Sequence, residues 1–165
     1  DLSTAWQGEV AWRLETLDGE TLKEGQSPVM AQPLTDTPVG SLSFPELVSD
    51  ANRRQVVFVC ELRQGGQRLA MSVTPFVANK HLALKDPGLQ VGTRIEGKQL
   101  VLDVSARSLA RFVELSLGGQ DVVFSDNYFD VLPGEAVQVR CPIPDGWNIE
   151  KVREAAQVVS LYQSF

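Results

Sequence analysis

The chain has 165 residues, 43% of them hydrophobic and 22% charged, with 15 Lys and Arg against 21 Asp and Glu and a net charge of −6. These fractions belong to a folded, soluble globular protein, and no apolar run approaches the thickness of a bilayer, so a membrane span and a disordered tail are excluded. The acidic balance lacks any basic cluster and argues against nucleic acid and anionic membrane surfaces as partners, because phosphate neutralisation needs Lys and Arg gathered on one face.

Alternation of apolar and polar residues dominates the first half, and it predicts strands. From Gly8 to Leu17, Val10, Trp12 and Leu14 share one face, and the turn Asp18-Gly19 follows at once. Thr21 to Glu24 answers this strand as the second arm of a hairpin. Further strands are expected at Pro28 to Ala31, Val39 to Phe44, Gln55 to Arg63 and Arg68 to Thr74. The last two are joined by Gln64-Gly65-Gly66-Gln67, whose glycines suit a tight hairpin turn. Trp12, on the apolar side of its strand, reads as core.

Lys80 to Gly88 is a short extended piece ending in turn formers, and the domain boundary is expected there, giving domains 1–86 and 87–165. A second series of strands follows at Leu89 to Glu96, Gln99 to Ser105, Arg111 to Leu117, Val122 to Phe124 and Ala136 to Cys141. After Trp147, Asn148 can cap a short helix in which Ile149, Val152 and Ala156 share a face. Val158 to Phe165 closes the chain as a strand. The fold class is therefore all-β, two consecutive immunoglobulin-like antiparallel sandwiches with one short helix near the C-terminus. At about 80 residues each core is thin, and packing against a neighbour adds useful burial.

Catalytic and metal-binding patterns are sparse. One His and two distant Cys cannot supply the common zinc sets, so no metal and no cofactor is expected. His81 is the sole imidazole available to a nucleophilic triad, and it reads as a linker residue. Gly65-Gly66 and Gly118-Gly119 join strand to strand, whereas a phosphate cradle needs strand to helix. Cys60 and Cys141 lie in different halves and read as two free thiols; they do not fix the compartment, although cytoplasm is favoured over secretion. The chain opens on Asp1 without an initiator Met, which suggests a piece of a longer polypeptide. Two exposed-aromatic candidates for stacking on a sugar are Trp6, outside any clear strand, and Trp147, which can equally staple the helical turn to its sheet.

The most distinctive segment runs from Phe124 to Glu135. Asp126 and Asn127 can bond their own backbone in a turn, the aromatics Tyr128 and Phe129 fill the bottom of a core, and Pro133-Gly134 turns the chain into the next strand. A calcium or sugar site at Asp126, Asn127 and Asp130 is the minor alternative.

That stretch, Ser125-Asp126-Asn127-Tyr128-Phe129-Asp130-Val131-Leu132-Pro133-Gly134-Glu135, resembles the corner of the C-terminal immunoglobulin-like domain of glycoside hydrolase family 2 β-mannosidases. Arg111 to Leu115 resembles the strand leading into it. The first half resembles the preceding domain of those enzymes through Val10-Ala11-Trp12-Arg13-Leu14, Val56 to Leu62, and Pro75-Phe76 through Leu84. The resemblance implies a retaining, exo-acting parent that releases terminal β-D-mannose with two glutamates on a (β/α)8 barrel, one of them following an Asn. No Asn-Glu dipeptide and no alternating strand-helix pattern occurs here, so neither glutamate carries over. The implied role is non-catalytic support of the barrel in the same polypeptide. Alternatives are a carbohydrate-binding module holding mannooligosaccharide, an adhesion or receptor ectodomain, and a parent with a sister activity such as exo-glucosaminidase.

Overall fold

The computed structural model describes residues 4–164. The chain divides into two compact units, Asp1–Ala83 and Leu84–Phe165. Among the described residues no helix is long and apolar enough to cross a membrane.

The first unit is built on one four-stranded antiparallel sheet of order β2-β1-β3-β4, with β1 Trp6–Thr16, β2 Thr21–Ala31, β3 Val56–Gln64 and β4 Gln67–Pro75. The hairpin expected at Asp18-Gly19 forms, and its second arm runs unbroken through Pro28. Pro28 is tolerated because β2 is an edge strand that, among the described residues, ladders with β1 alone. Register places Trp12 beside Cys60 and Leu14 beside Phe58 on one face. The other face carries Arg13, Val59, Glu61 and Val73. Leu14, Val57 and Val59 are fully buried.

Two expectations change here. Val39 to Phe44 is coil and joins no ladder. It belongs to the connection from 32 to 55, which carries Phe44 over the Trp12 face instead of pairing along an edge. Trp12 is half-buried, with its indole laid against Gly25 across the β1–β2 ladder. A Cβ on Gly25 would stand 2.5 Å from the indole Cζ2. Where Lys80 to Gly88 was expected to be extended, Asn79–His81 forms a single 3-10 turn. There the exposed His81 offers its carbonyl to Arg54 Nε at 2.6 Å.

The second unit is a sandwich. One sheet has the order β5-β6-β9, with β5 Gln90–Glu96, β6 Gln99–Ser105 and β9 Ala136–Pro142. The other has the order β10-β7-β8, with β7 Ala110–Leu117, β8 Phe129–Val131 and β10 Ala156–Val159. Between them lie Val104, Val113, Leu115, Val131 and Val139, with Leu100, Leu102, Leu117, Cys141 and Val152 in a second cluster. Helix α1, Ile149–Ala155, is capped as expected: the Asn148 side chain accepts from Lys151 N. Val152 of α1 and the half-buried Trp147 both pack on the Leu100 cluster, so Trp147 does staple the turn to the sheet. Val122 to Phe124, expected as a strand, is coil. Val122 and Phe124 go into the core clusters, and the neighbouring backbone makes a Leu117–Gln120 bridge and a bond from Ser125 N to Arg140 O at 2.7 Å. The closing strand is shorter than expected, because the backbone turns into a 3-10 helix at Leu161–Ser164 after β10. Phe165 lies outside the described residues.

Candidate functional site

A cleft of about 690 Å³ lies on the first unit, between the sheet and the connection. Its floor is Trp12 from β1 and Phe58 from β3, two rings 6.1 Å apart at their centroids and inclined by 27°. Phe44 forms a wall, 5.7 Å from Trp12 and 5.9 Å from Phe58. Val39 and Leu42 of the connection overhang it and are about half exposed, at 46% and 49%. The polar groups in the lining are Ser27, Ser41, Ser43, Thr74 and the half-buried Cys60 thiol, and no charged side chain is among the lining residues. Burial, reinforced by the charge of Glu61, pushes that thiol up, so it is a poor nucleophile at neutral pH.

The opposite face of the same sheet holds a buried ion cluster. Glu61 Oε1 accepts from Arg13 Nη1 at 2.8 Å and from Arg68 Nη1 at 3.4 Å; Oε2 accepts from Arg63 Nε at 2.8 Å and Nη2 at 2.5 Å. Arg13 Nε also donates to Glu15 Oε2 at 2.6 Å. Burial alone would raise the Glu61 carboxyl, but the bonds and charges of Arg13 and Arg63 outweigh it and hold it below the usual carboxylate range. With every acceptor site turned to a guanidinium, Glu61 holds the register of three strands rather than presenting a general base.

In the second unit, the outer face of β5-β6-β9 carries a closed ring of side chains. Arg94 Nε donates to Glu96 at 2.8 Å and Arg94 Nη1 to Asp103. Arg140 donates to Glu96 at 2.8 Å and to Gln138 at 2.9 Å, and Gln138 donates to Asp103 at 3.0 Å. Bonds from Arg94 and Arg140 keep the exposed Glu96 carboxyl low. This ring lies in register over Val101, which is fully buried beneath the two arginine stems.

The corner segment is structural in its contacts. Asn127 Oδ1 accepts from Leu115 N at 2.8 Å while its Nδ2 donates to Leu115 O at 3.2 Å, so the amide imitates a strand neighbour. Asp130 Oδ1 accepts from Phe112 N at 3.1 Å and Arg111 Nε at 3.2 Å. These bonds hold two left-handed non-glycine residues, Phe112 at φ 49° and Tyr128 at φ 62°. Phe129 fills the core as expected, but Tyr128 is 62% exposed. Among the described residues no group of three His, Cys, Asp or Glu is placed to hold a metal ion.

Trp6 and Trp147 sit in separate units and neither lines the cleft. Trp6 covers Gly8 beside a hollow of about 350 Å³ formed with Ala31 to Asp36. Trp147 carries the Lys151 ammonium over its ring at 4.7 Å. The rings that do converge were hidden in sequence: Trp12 reads as core, Phe58 as part of the strand Gln55 to Arg63, and Phe44 as the end of a strand. A signal was present in the hairpin register, which sets Gly25 against Trp12 and leaves the indole lying flat.

Comparison with known proteins adds the context. The mannosidase Ig/CBM-like domain family matches residues 1–81, and the mannosidase Ig-fold domain family matches residues 84–164. No curated protein matches the chain. Among solved structures, a β-D-mannosidase from Dictyoglomus thermophilum matches with a TM-score of 0.81 at 16% identity, over 96% of this chain and 19% of that one. The Amycolatopsis orientalis exo-chitosanase CsxA matches with a TM-score of 0.51 at 15% identity, over 96% of this chain and 24% of that one. At these identities the likeness is one of fold, and the chain spans about a fifth to a quarter of those proteins.

Proposed function

We propose, for a chain whose first half belongs to the mannosidase Ig/CBM-like family and whose second half belongs to the mannosidase Ig-fold family, that it is the non-catalytic C-terminal part of a β-mannosidase. The parent in this reading is a retaining exo-glycosidase of family 2, and these two domains support its catalytic barrel. The observation that carries the reading is the tandem order: both mannosidase-type domains occur in succession with two residues between the matches, and one solved β-D-mannosidase superposes over nearly the whole chain.

Physical chemistry supports a supporting role. Retaining hydrolysis needs two carboxyl groups about 5 Å apart in a pocket, one a nucleophile and one an acid. The carboxylates described above are instead committed to arginines or backbone amides: Glu61 and Glu15 in one unit, Glu96, Asp103 and Asp130 in the other. The aromatic cleft has no acid in its lining. Each unit has a thin core of the kind that gains from a larger neighbour.

The test is hydrolysis of p-nitrophenyl β-D-mannopyranoside by the polypeptide of the complete reading frame and by residues 1–165 alone. The complete polypeptide should release p-nitrophenol and the 165-residue chain should not. Release of p-nitrophenol from the glucosaminide instead would move the parent to the sister activity. Turnover by residues 1–165 themselves, or a complete polypeptide without glycosidase activity, overturns the reading.

A further inference from the structure

We infer that the free edge of β4 pairs with the β4 edge of a second copy of this chain, antiparallel, about a two-fold axis at Ser72. The inference rests on the residues of that strand and is independent of the activity of any parent enzyme. β4 ends the order of the first unit's sheet, and among the described residues it ladders with β3 alone. Every second residue of β4 therefore turns its N–H and C=O away from β3, to a side where no strand meets them.

The other sheet edges are guarded. β2 carries Lys23, Glu24 and Pro28, and β5 carries Arg94 and Glu96. Beside β9, Ser125 N donates to Arg140 O, which covers that edge with the coil before the corner. β8 and β10 are three and four residues long. Charge, proline, cover and shortness are the devices that keep an edge from pairing. β4 has none of these from Leu69 to Thr74, where the sequence Leu-Ala-Met-Ser-Val-Thr is uncharged and without Pro. Ala70, Ser72 and Thr74 are exposed, so the edge is open to an incoming strand.

The residues of the edge favour a second copy as its occupant. The regular run is bounded by a bulge at Leu69, which has no partner on β3, and by Pro75, which has no N–H to give. Between them lie Ala70 to Thr74, with Ser72 at the midpoint. Two-fold pairing about Ser72 sets Ala70 against Thr74, Met71 against Val73 and Ser72 against itself. Small and hydroxyl-bearing side chains then meet on the face that carries Cys60, and apolar ones on the face that carries Val59 and Glu61. No charged residue enters this ladder, so nothing in it repels a second chain of the same net charge, −6. Leu69, 48% exposed, falls opposite Pro75 of the second copy and gains cover there. So short a ladder buries less than the roughly 1,200 Å² at which standard interfaces begin, and the dimer is correspondingly weak, with a Kd on the order of 100 μM.

Sedimentation equilibrium of the 165-residue chain, carried to roughly ten times that Kd, should show a monomer–dimer equilibrium. Ser72→Lys and Ser72→Glu each oppose like charges at the axis, and each should weaken the dimer roughly fivefold. An equimolar mixture of the two variants should recover wild-type affinity or better, because Lys then faces Glu across the ladder. That recovery requires residue 72 of one copy to meet residue 72 of the other, and no effect of either substitution on folding produces it. Gln26→Lys, exposed on β2, should leave the equilibrium unchanged. A chain that stays monomeric at the highest concentration overturns the inference. So does a dimer that Ser72→Lys leaves intact, which would place the contact at another surface, or a mixture that associates no more tightly than either variant alone.

Discussion

Replacing Glu61 by Gln exchanges one carboxylate oxygen for an NH2 group and removes the charge on which three arginines converge. The carbonyl of the new carboxamide can still accept two of the four guanidinium bonds, but its NH2 group faces the other two as donor against donor. Bonds to charged groups contribute about 1.5 to 3 kcal/mol each. The low end applies here, because Arg63 and Arg68 are 37% and 34% exposed and can rehydrate. Two lost bonds at about 1.5 kcal/mol give about 3 kcal/mol, consistent with the cost of breaking a buried pair. For a unit of this size that lowers Tm by about 12 to 24 °C.

Urea unfolding followed by tryptophan emission measures the loss, in a Trp147→Phe background so that Trp6 and Trp12 report the first unit. Acid sensitivity gives a second readout. The folded Glu61 carboxyl is held below its unfolded value of about 4.3, so its contribution is fully present above that value. The contribution is lost as pH falls further, through the folded value. The wild-type chain should therefore lose stability of the first unit below about pH 4 more steeply than Glu61→Gln does. A loss under about 1 kcal/mol, or equal acid slopes in the two proteins, would refute the assignment of Glu61 as the charged centre of the sheet.

Other expectations concern the second unit. Leu100→Ala, at a fully buried position, should cost about 3 kcal/mol by urea unfolding with Trp147 emission. Asn127→Ala should cost about 2 kcal/mol, since both Leu115 backbone groups lose their partner. Asn127→Asp should restore only the bond from Leu115 N. Tyr128→Asn should raise stability by about 0.5 kcal/mol, because Asn tolerates the left-handed conformation better and the tyrosine ring is largely exposed. Asn148→Ala should cost about 1 kcal/mol through loss of the helix cap, visible in the same assay.

The elements that could be read from the residues are those whose information is local. The β1–β2 hairpin is specified by period-two alternation and Asp18-Gly19, and the C-terminal helix by Asn148 and the spacing of Ile149 and Val152. Both occur where expected. Glu61 was different: its neighbours in sequence include Arg63, but Arg13 and Arg68 reach it only through strand pairing. Alternation indicates which face Glu61 takes, not that the face is buried. Val122 to Phe124 failed for a related reason. An apolar triplet is compatible with a strand, yet here Val122 and Phe124 pack on the core clusters and Val123 is exposed, without a ladder of their own.

The cleft shows the same limit at the level of architecture. A strand pattern at Val39 to Phe44 predicts side chains that alternate between covering the sheet and facing water, but residues 39 to 43 are all exposed and only Phe44 is set on Trp12. Hydrogen bonding is a separate requirement, and this segment joins no ladder to meet it. With no ladder to close that side, the apolar face of β1 and β3 stays partly open, and Trp12 and Phe58 line a cleft rather than the centre of a core. Filling the cleft in place with Ser41→Leu should raise the stability of the first unit by about 1 kcal/mol in the urea assay, because the added side chain buries apolar surface against the lining. A loss of stability instead would refute the reading of this face as incompletely covered.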